Sequence, residues 1–116
     1  MPEDKNGSIA YAKEKVELDG WVYFIDYYGN GIFKSRPDGS NMIRILSDNT
    51  NCKCYNLKID NENLISYYVD TAQYSVFDED HYEYNRYKDI ITYAIDIDKN
   101  ESVEVKRSQG YLGTSN

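Results

Sequence analysis

Few side chains in this sequence are of a type and spacing that could support catalysis. The single histidine, His81, follows the acidic run 78–80, and Glu83 and Asp89 come shortly after it. A serine or cysteine nucleophile would need His81 as its base together with an orienting acid, and nothing in the sequence places a nucleophile beside it. We therefore expect a protein that is not an enzyme, and keep a small hydrolase with an acidic site as the least favoured alternative.

Metal-binding patterns are present only in fragments. Cys52 and Cys54 would need two further ligands to close a zinc site, and only one histidine is available. We expect two buried or half-buried thiols, with a regulatory or intermolecular disulfide as the alternative. Asp96, Asp98 and Asn100 have the opening spacing of a calcium loop, but the sixth position is not glycine and the twelfth is not glutamate. A polar hairpin turn explains them better, and the acidic run suits a solvated loop better than a weak cation site. We expect no metal and no cofactor.

The charge of the chain restricts its partners. Twenty acidic and thirteen basic residues give a net charge of −7, which disfavours binding to a phosphate backbone. The sequence has no apolar stretch long enough to span a membrane, and its first residues lack the apolar core of a secretory signal. We expect no nucleic-acid partner, no membrane segment and a cytoplasmic location by default. If the chain is a piece of a longer protein, a cell-surface location is the alternative.

A pattern that occurs twice defines the elements that must position these side chains. Each copy contains a strand, an aromatic strand ending in aspartate, a third strand, a polar turn and a fourth strand. The first copy occupies residues 18–26, 32–41 and 43–46, and the second occupies 57–60, 64–70, 91–100 and 103–105. Apolar runs separated by Asp-Gly and Asn-Gly turns are typical of antiparallel hairpins. We predict an all-β fold built from four-stranded antiparallel meander units.

The predicted organisation is a single domain over residues 1–116. We place the first unit at 8–46, the second at 52–107 with an insertion at 73–89, and tails at 1–7 and 108–116. The second strands of the two units align at an offset of 44 and the third strands at 60, so the insertion is 16 residues long. Residues 8–12 suit a strand better than a short helix. The dense strand at 21–25 indicates coverage on both faces, with Trp21 in the core.

Two tetrapeptides carry a resemblance to a known family. Tyr23-Phe24-Ile25-Asp26 and Tyr67-Tyr68-Val69-Asp70 resemble the Tyr-Trp-Thr-Asp strand of low-density-lipoprotein-receptor-type propellers, and residues 32–41 are similar to the strand and Asp-Gly-Ser turn that follow it. The pattern looks most like a bacterial, clostridial-type repeat domain of unknown function. The resemblance implies about two propeller-like blades, an incomplete ring, since propellers have roughly four to eight. Either other copies or chains complete the ring, or the fold is an open body of two sheets.

The inserted segment is the predicted binding surface, because tyrosine offers a large contact area and a polar group. Its aromatic residues are Tyr74, Phe77, Tyr82, Tyr84 and Tyr87, and we add Tyr27 and Tyr28 as exposed residues of a glycine-rich turn. The alternative is that the inserted tyrosines cover the open end of the second sheet. We expect a non-catalytic binding or assembly module that contacts a protein or glycan, or associates with itself through blade edges. The second interpretation is a purely structural fragment of a larger propeller.

Overall fold

The computed structural model describes residues 9–47 and 53–115, which form two antiparallel β-sheets. A 3-10 helix, Ile9–Tyr11, precedes the first sheet: β1 (Glu14–Leu18), β2 (Trp21–Ile25), β3 (Ile32–Ser35) and β4 (Ile43–Ile45). The second sheet contains β5 (Cys54–Ile59), β6 (Ile65–Asp70), β7 (Tyr74–Asp78), β8 (Glu83–Asp96) and β9 (Glu101–Ser115). The all-β fold and its antiparallel pairing are confirmed.

The first sheet is a simple meander, β1-β2-β3-β4, held by the predicted turns. Leu18 pairs with Trp21, which leaves Asp19 and Gly20 as a two-residue loop with φ of 52° and 80°. Positive φ at both central residues is typical of the type I′ turn, whose twist matches that of the strands it joins. Ile9–Tyr11 forms a helical turn instead of the predicted strand, since the Lys13 N–H already bonds the Ile25 carbonyl and closes the end of the β1–β2 pairing.

The second sheet has five strands where a four-stranded unit was predicted. β8 pairs with β6 through its second half and with β7 through its first half, while β9 pairs along its other side. The insertion at 73–89 thus forms β7 and the start of β8. Residues 108–115, which belong to the predicted tail 108–116, form the second half of β9. Their partner is the inserted part of β8, so the pairing depends on a contact distant in sequence.

The two sheets pack face to face around one core. Odd-numbered residues of β2 and β6 share this face because strand side chains alternate. The core cluster is Leu18, Tyr23, Ile25, Ile32, Ile45, Cys54, Leu57, Ile65, Tyr67, Val69, Ile91, Tyr93 and Ile95. The Glu14 carboxylate accepts hydrogen bonds of 2.9 Å from the N–H groups of Asn56 and Leu57. At the opposite edge Leu46 bridges to Glu101, so β1 lies beside β5 and the end of β4 lies beside β9.

The register of the third strands differs from the predicted repeat by one residue. Tyr23 pairs with Lys34, and its counterpart Tyr67 pairs with Tyr93. Lys34 therefore corresponds to Tyr93, and the offset between third strands is one residue shorter than predicted. Because a slip of one residue moves every side chain of a strand to the other face, this correction turns Lys34 towards the core.

Candidate binding surfaces

β8 and β9 continue well beyond the end of the first sheet. β6 ends at Asp70, opposite Ile90, and the residues of β8 before that point pair only with β7 and β9. We call β7 with residues 83–89 and 108–115 the extension. It is a three-stranded sheet, and none of its residues belongs to the core cluster between the two sheets. A 15-residue strand spans roughly 50 Å, and the protein is 58 Å along its longest axis.

One face of the extension carries a row of three tyrosines, one from each strand. Tyr74 is opposite Tyr87, and Tyr87 is opposite Tyr111. Their ring centroids are 5.9 Å and 5.6 Å apart along the row. The Tyr74 hydroxyl donates to Asp89 Oδ1 at 2.8 Å and accepts from Gln109 Nε2 at 3.0 Å. This tyrosine row lies on the same sheet face as the core residues Ile91 and Tyr93, but beyond the edge of the first sheet.

The opposite face carries a second aromatic group. The Phe77 ring lies 5.1 Å from that of Tyr84 and 6.4 Å from that of Tyr82, between centroids. Tyr82 is in the β7–β8 turn with a φ of 51° and is 82% exposed. Four of the five inserted aromatic residues therefore lie in the extension and Tyr82 lies in the turn that joins two of its strands, but they do not form the single surface that was predicted. Tyr74 and Tyr87 point to one face, and the other three lie on or near the other face.

Tyr27 and Tyr28 lie in the β2–β3 turn and are exposed, as predicted. Their rings meet edge-on at 5.0 Å. The buried carboxylate of Asp26 holds this turn by accepting hydrogen bonds from the Asn30 N–H at 2.7 Å and from a second backbone N–H of the turn. The turn sits at the end of the sheet pair from which the extension projects, because the Cys54 N–H donates to Gly29.

Asp70, the repeat counterpart of Asp26, anchors the extension to the second sheet. Its Oδ2 lies 2.5 Å from Lys88 Nζ, and its Oδ1 accepts a 2.6 Å hydrogen bond from the Tyr55 hydroxyl. Burial would raise the pKa of Asp70, but the hydrogen bonds from Lys88 and Tyr55 outweigh it and lower that pKa. Burial and the bond to Asp70 raise the pKa of Tyr55 to about 12. The two aspartates that look alike in sequence thus have different structural roles.

The outer edge of β9 is open over most of its length. The Ser102 N–H donates to the Leu46 carbonyl at 2.7 Å, and Leu46 bridges to Glu101. From Val103 to Ser115, no strand within 9–47 or 53–115 pairs with the side of β9 that faces away from β8. Tyr111, 60% exposed, lies on this edge and was missed as a binding residue because it falls in the predicted tail.

The acidic cluster and His81 form a small exposed group. His81 Nδ1 lies 2.8 Å from Asp78 Oδ2, and ligand atoms of Asp78, His81 and Glu83 all lie within 4.8 Å of one another. The hydrogen bond that His81 donates to the Asp78 carboxylate raises the pKa of His81. Within the described residues, no hydrogen bond joins His81 to a serine or cysteine. The hydrogen bond between Asp78 and His81 explains why these side chains lie close together, and we assign no ligand to the group.

Two predictions concern the cysteines and the membrane. Cys54 is buried, while Cys52 lies outside the described residues. The 3-10 turn near the start is far too short to cross a membrane, and no described helix is long and apolar enough to do so.

Comparisons with known proteins identify no relative of this chain. The chain matches no protein-family model, no curated protein and no solved structure. The function proposed below therefore depends on the geometry of the extension.

Proposed function

We propose that the protein is a non-catalytic assembly module that joins a second copy of itself through the open edge of β9. The observation that carries this proposal is the 13-residue stretch from Val103 to Ser115 whose outward side lacks a described partner strand. An edge strand presents unpaired backbone N–H and C=O groups, which are a template for pairing with another chain. A closed two-fold contact satisfies both edges at once.

The side chains of β9 fit an antiparallel pairing with a second copy. Centring the pairing on Gln109 sets Arg107 opposite Tyr111 of the second copy, within the regular stretch 106–111 between the two bulges of β9, and this contact occurs twice. No two like charges are opposed in this register. A guanidinium beside a tyrosine ring contributes about 0.5–1 kcal/mol at an exposed site.

The tyrosine row supports the same arrangement. It ends at Tyr111, on the strand that would form the joint, so a second copy would continue the aromatic row across the contact. Exposed aromatic patches on soluble proteins commonly mark interaction sites. The charged Glu104, Lys106 and Arg107 keep the edge soluble in the monomer. Because each copy also carries a net charge of −7, we expect reversible association.

The proposal is tested by a charge placed at the centre of the joint. Gln109→Lys puts two ammonium groups opposite each other in the two-fold pairing, and the sedimentation coefficient should fall to that of a monomer. Gln73→Lys is the matched control, because Gln73 is exposed in the loop before β7 and makes the same change of charge away from the edge. Equal association of both variants would contradict pairing through β9.

A second candidate function is a structural fragment of a larger propeller-like array. It is supported by the way the two sheets stack with the same strand order, β1 beside β5 and the end of β4 beside β9. A third sheet would then cover the outer face of the second sheet, where Tyr68 and Thr92 lie opposite each other. Association lost in Thr92→Lys but kept in Gln109→Lys would favour this candidate.

A further inference from the structure

A cavity of about 180 Å³ lies at the end of the sheet pair opposite the extension. It opens between the β1–β2 turn and the β8–β9 turn. The lining residues that matter for its chemistry are Asp19, Trp21, Tyr23, Lys34, Ile97 and Asp98. Its volume is below the range of roughly 300–1,000 Å³ that suits drug-sized ligands, so an occupant must be small.

Lys34 places a cation in the wall of this cavity. The side chain is core-facing and the residue is only 7% exposed. Its Nζ lies 4.5 Å from the Trp21 ring centroid and 5.8 Å from that of Tyr23. No described group accepts a hydrogen bond from this Nζ, and no described carboxylate forms an ion pair with it. The Nζ borders the open cavity and has no acceptor among the described residues, so an anionic group that enters the cavity can supply one.

Tyr23 adds a hydroxyl to the same wall. The residue is 2% exposed, and no described group bonds its hydroxyl. Burial, with smaller contributions from Asp19 and Asp98, raises the pKa of Tyr23. The hydroxyl is therefore protonated at neutral pH and can donate a hydrogen bond to an occupant.

Two carboxylates define the mouth of the cavity. Asp19 and Asp98 lie in the two turns that flank it, and both are exposed. Arg36 does not neutralise them directly, since its guanidinium lies 3.9 Å from the Trp21 ring centroid and Nη1 donates to the Gly20 carbonyl at 3.2 Å. The cavity thus has hydrogen-bond donors in its wall, from Lys34 and Tyr23, and carboxylate acceptors at its mouth.

We propose that this cavity binds a small zwitterion of amino-acid size. Its carboxylate accepts hydrogen bonds from Lys34 Nζ and the Tyr23 hydroxyl, and its ammonium group meets the carboxylates of Asp19 and Asp98. The first contact supplies an acceptor for Lys34 that the described residues do not provide, and the second pairs the other end of the occupant.

Fluorescence of Trp21 provides the test, because it is the single tryptophan of the chain and lines the cavity. The full chain is titrated with glycine, β-alanine and 4-aminobutyrate, which separate the two charges by increasing distances. Acetate and methylammonium each supply one charge alone. We expect a saturable change with at least one zwitterion and at least about tenfold weaker binding of acetate and methylammonium.

Variants locate the binding. Lys34→Met should abolish the response, whereas Lys58→Met, which removes an exposed lysine lying 5.0 Å from the Tyr68 ring centroid, should preserve it. Asp98→Asn lies in an exposed turn and should weaken zwitterion binding without changing the response to acetate. No saturable change with any zwitterion, equal binding of acetate, or an unchanged response in Lys34→Met overturns the proposal. Gln109→Lys should leave the fluorescence response intact, since the proposed contact between two β9 strands does not include the cavity.

Discussion

The Nζ of Lys34 lies 4.5 Å from the Trp21 ring centroid, in the position that Tyr93 occupies in the second sheet. There Tyr93 stacks on Tyr67 with ring centroids 5.5 Å apart. Two strands that look alike in sequence therefore build different interiors. The second sheet fills its core with a pair of aromatic rings, and the first sheet leaves a cavity beside a cation.

The first prediction concerns the energetic cost of this cation. Lys34→Met removes a buried charge that lacks a described acceptor and retains most of the apolar stem. We expect the free energy of unfolding to rise by about 1 kcal/mol, since the lost cation–π contact is smaller than the relieved desolvation. Urea denaturation measures the change, with Lys58→Met as the control. A fall of the same size would show that the ammonium stabilises the fold.

The second prediction concerns Trp21. The ring was predicted to be a core residue, but it is only partly buried, packed against the core and over two cations. Trp21→Ala should therefore cost about 2–3 kcal/mol, less than the roughly 3–5 kcal/mol of a fully buried tryptophan. The midpoint of urea denaturation, followed by circular dichroism, measures it. A cost below about 1 kcal/mol would mean that the ring adds little to the core.

The third prediction follows from Tyr55. Its pKa is raised to about 12 by burial and by the bond to Asp70, so the folded state holds this proton more tightly than the unfolded state. The resulting stabilisation is complete below pH 10 and is lost as the pH rises towards 12. Tyr55→Phe should flatten the decline of melting temperature over this window. The same decline in both proteins would show that Tyr55 does not titrate as the structure implies.

The fourth prediction concerns removal of the extension. None of the residues 74–88 belongs to the core cluster. The Thr71 N–H bonds the Asp89 carbonyl at 2.9 Å, so deletion of 74–88 leaves Ala72 and Gln73 as a two-residue loop between paired residues. With the chain also ended at Gln109, the remaining sheets should keep their β signature in circular dichroism. Loss of that signature would place the extension among the elements that stabilise the fold.

The hairpins could be predicted from the sequence because the conformation of each turn depends on the few residues within it. Asp19 and Gly20 specify a two-residue loop whatever surrounds them, and Asp26 caps its own turn. The length of β9 could not be predicted from the sequence. Gly110 and Gly113 look like breaks in a strand, and what holds this segment is the distant pairing of Tyr111 with Tyr87.

The two faces of the candidate site carried a signal that was overlooked. Tyr84 and Tyr87 are three positions apart, an odd number, so a single strand must send them to opposite faces. The register of Lys34 carried no such signal, because an aromatic residue at position 33 aligned with Tyr93 more naturally than a lysine did. Only the pairing with Tyr23 fixes the face to which Lys34 belongs.

The central claim is that β9 joins two copies of the chain, and the mass of the protein in solution tests it most directly. Sedimentation equilibrium at increasing concentration should give a monomer–dimer equilibrium for the wild type and for Gln73→Lys, and a monomer for Gln109→Lys. A wild-type protein that stays at its monomer mass of 13.5 kDa at every concentration would contradict the claim.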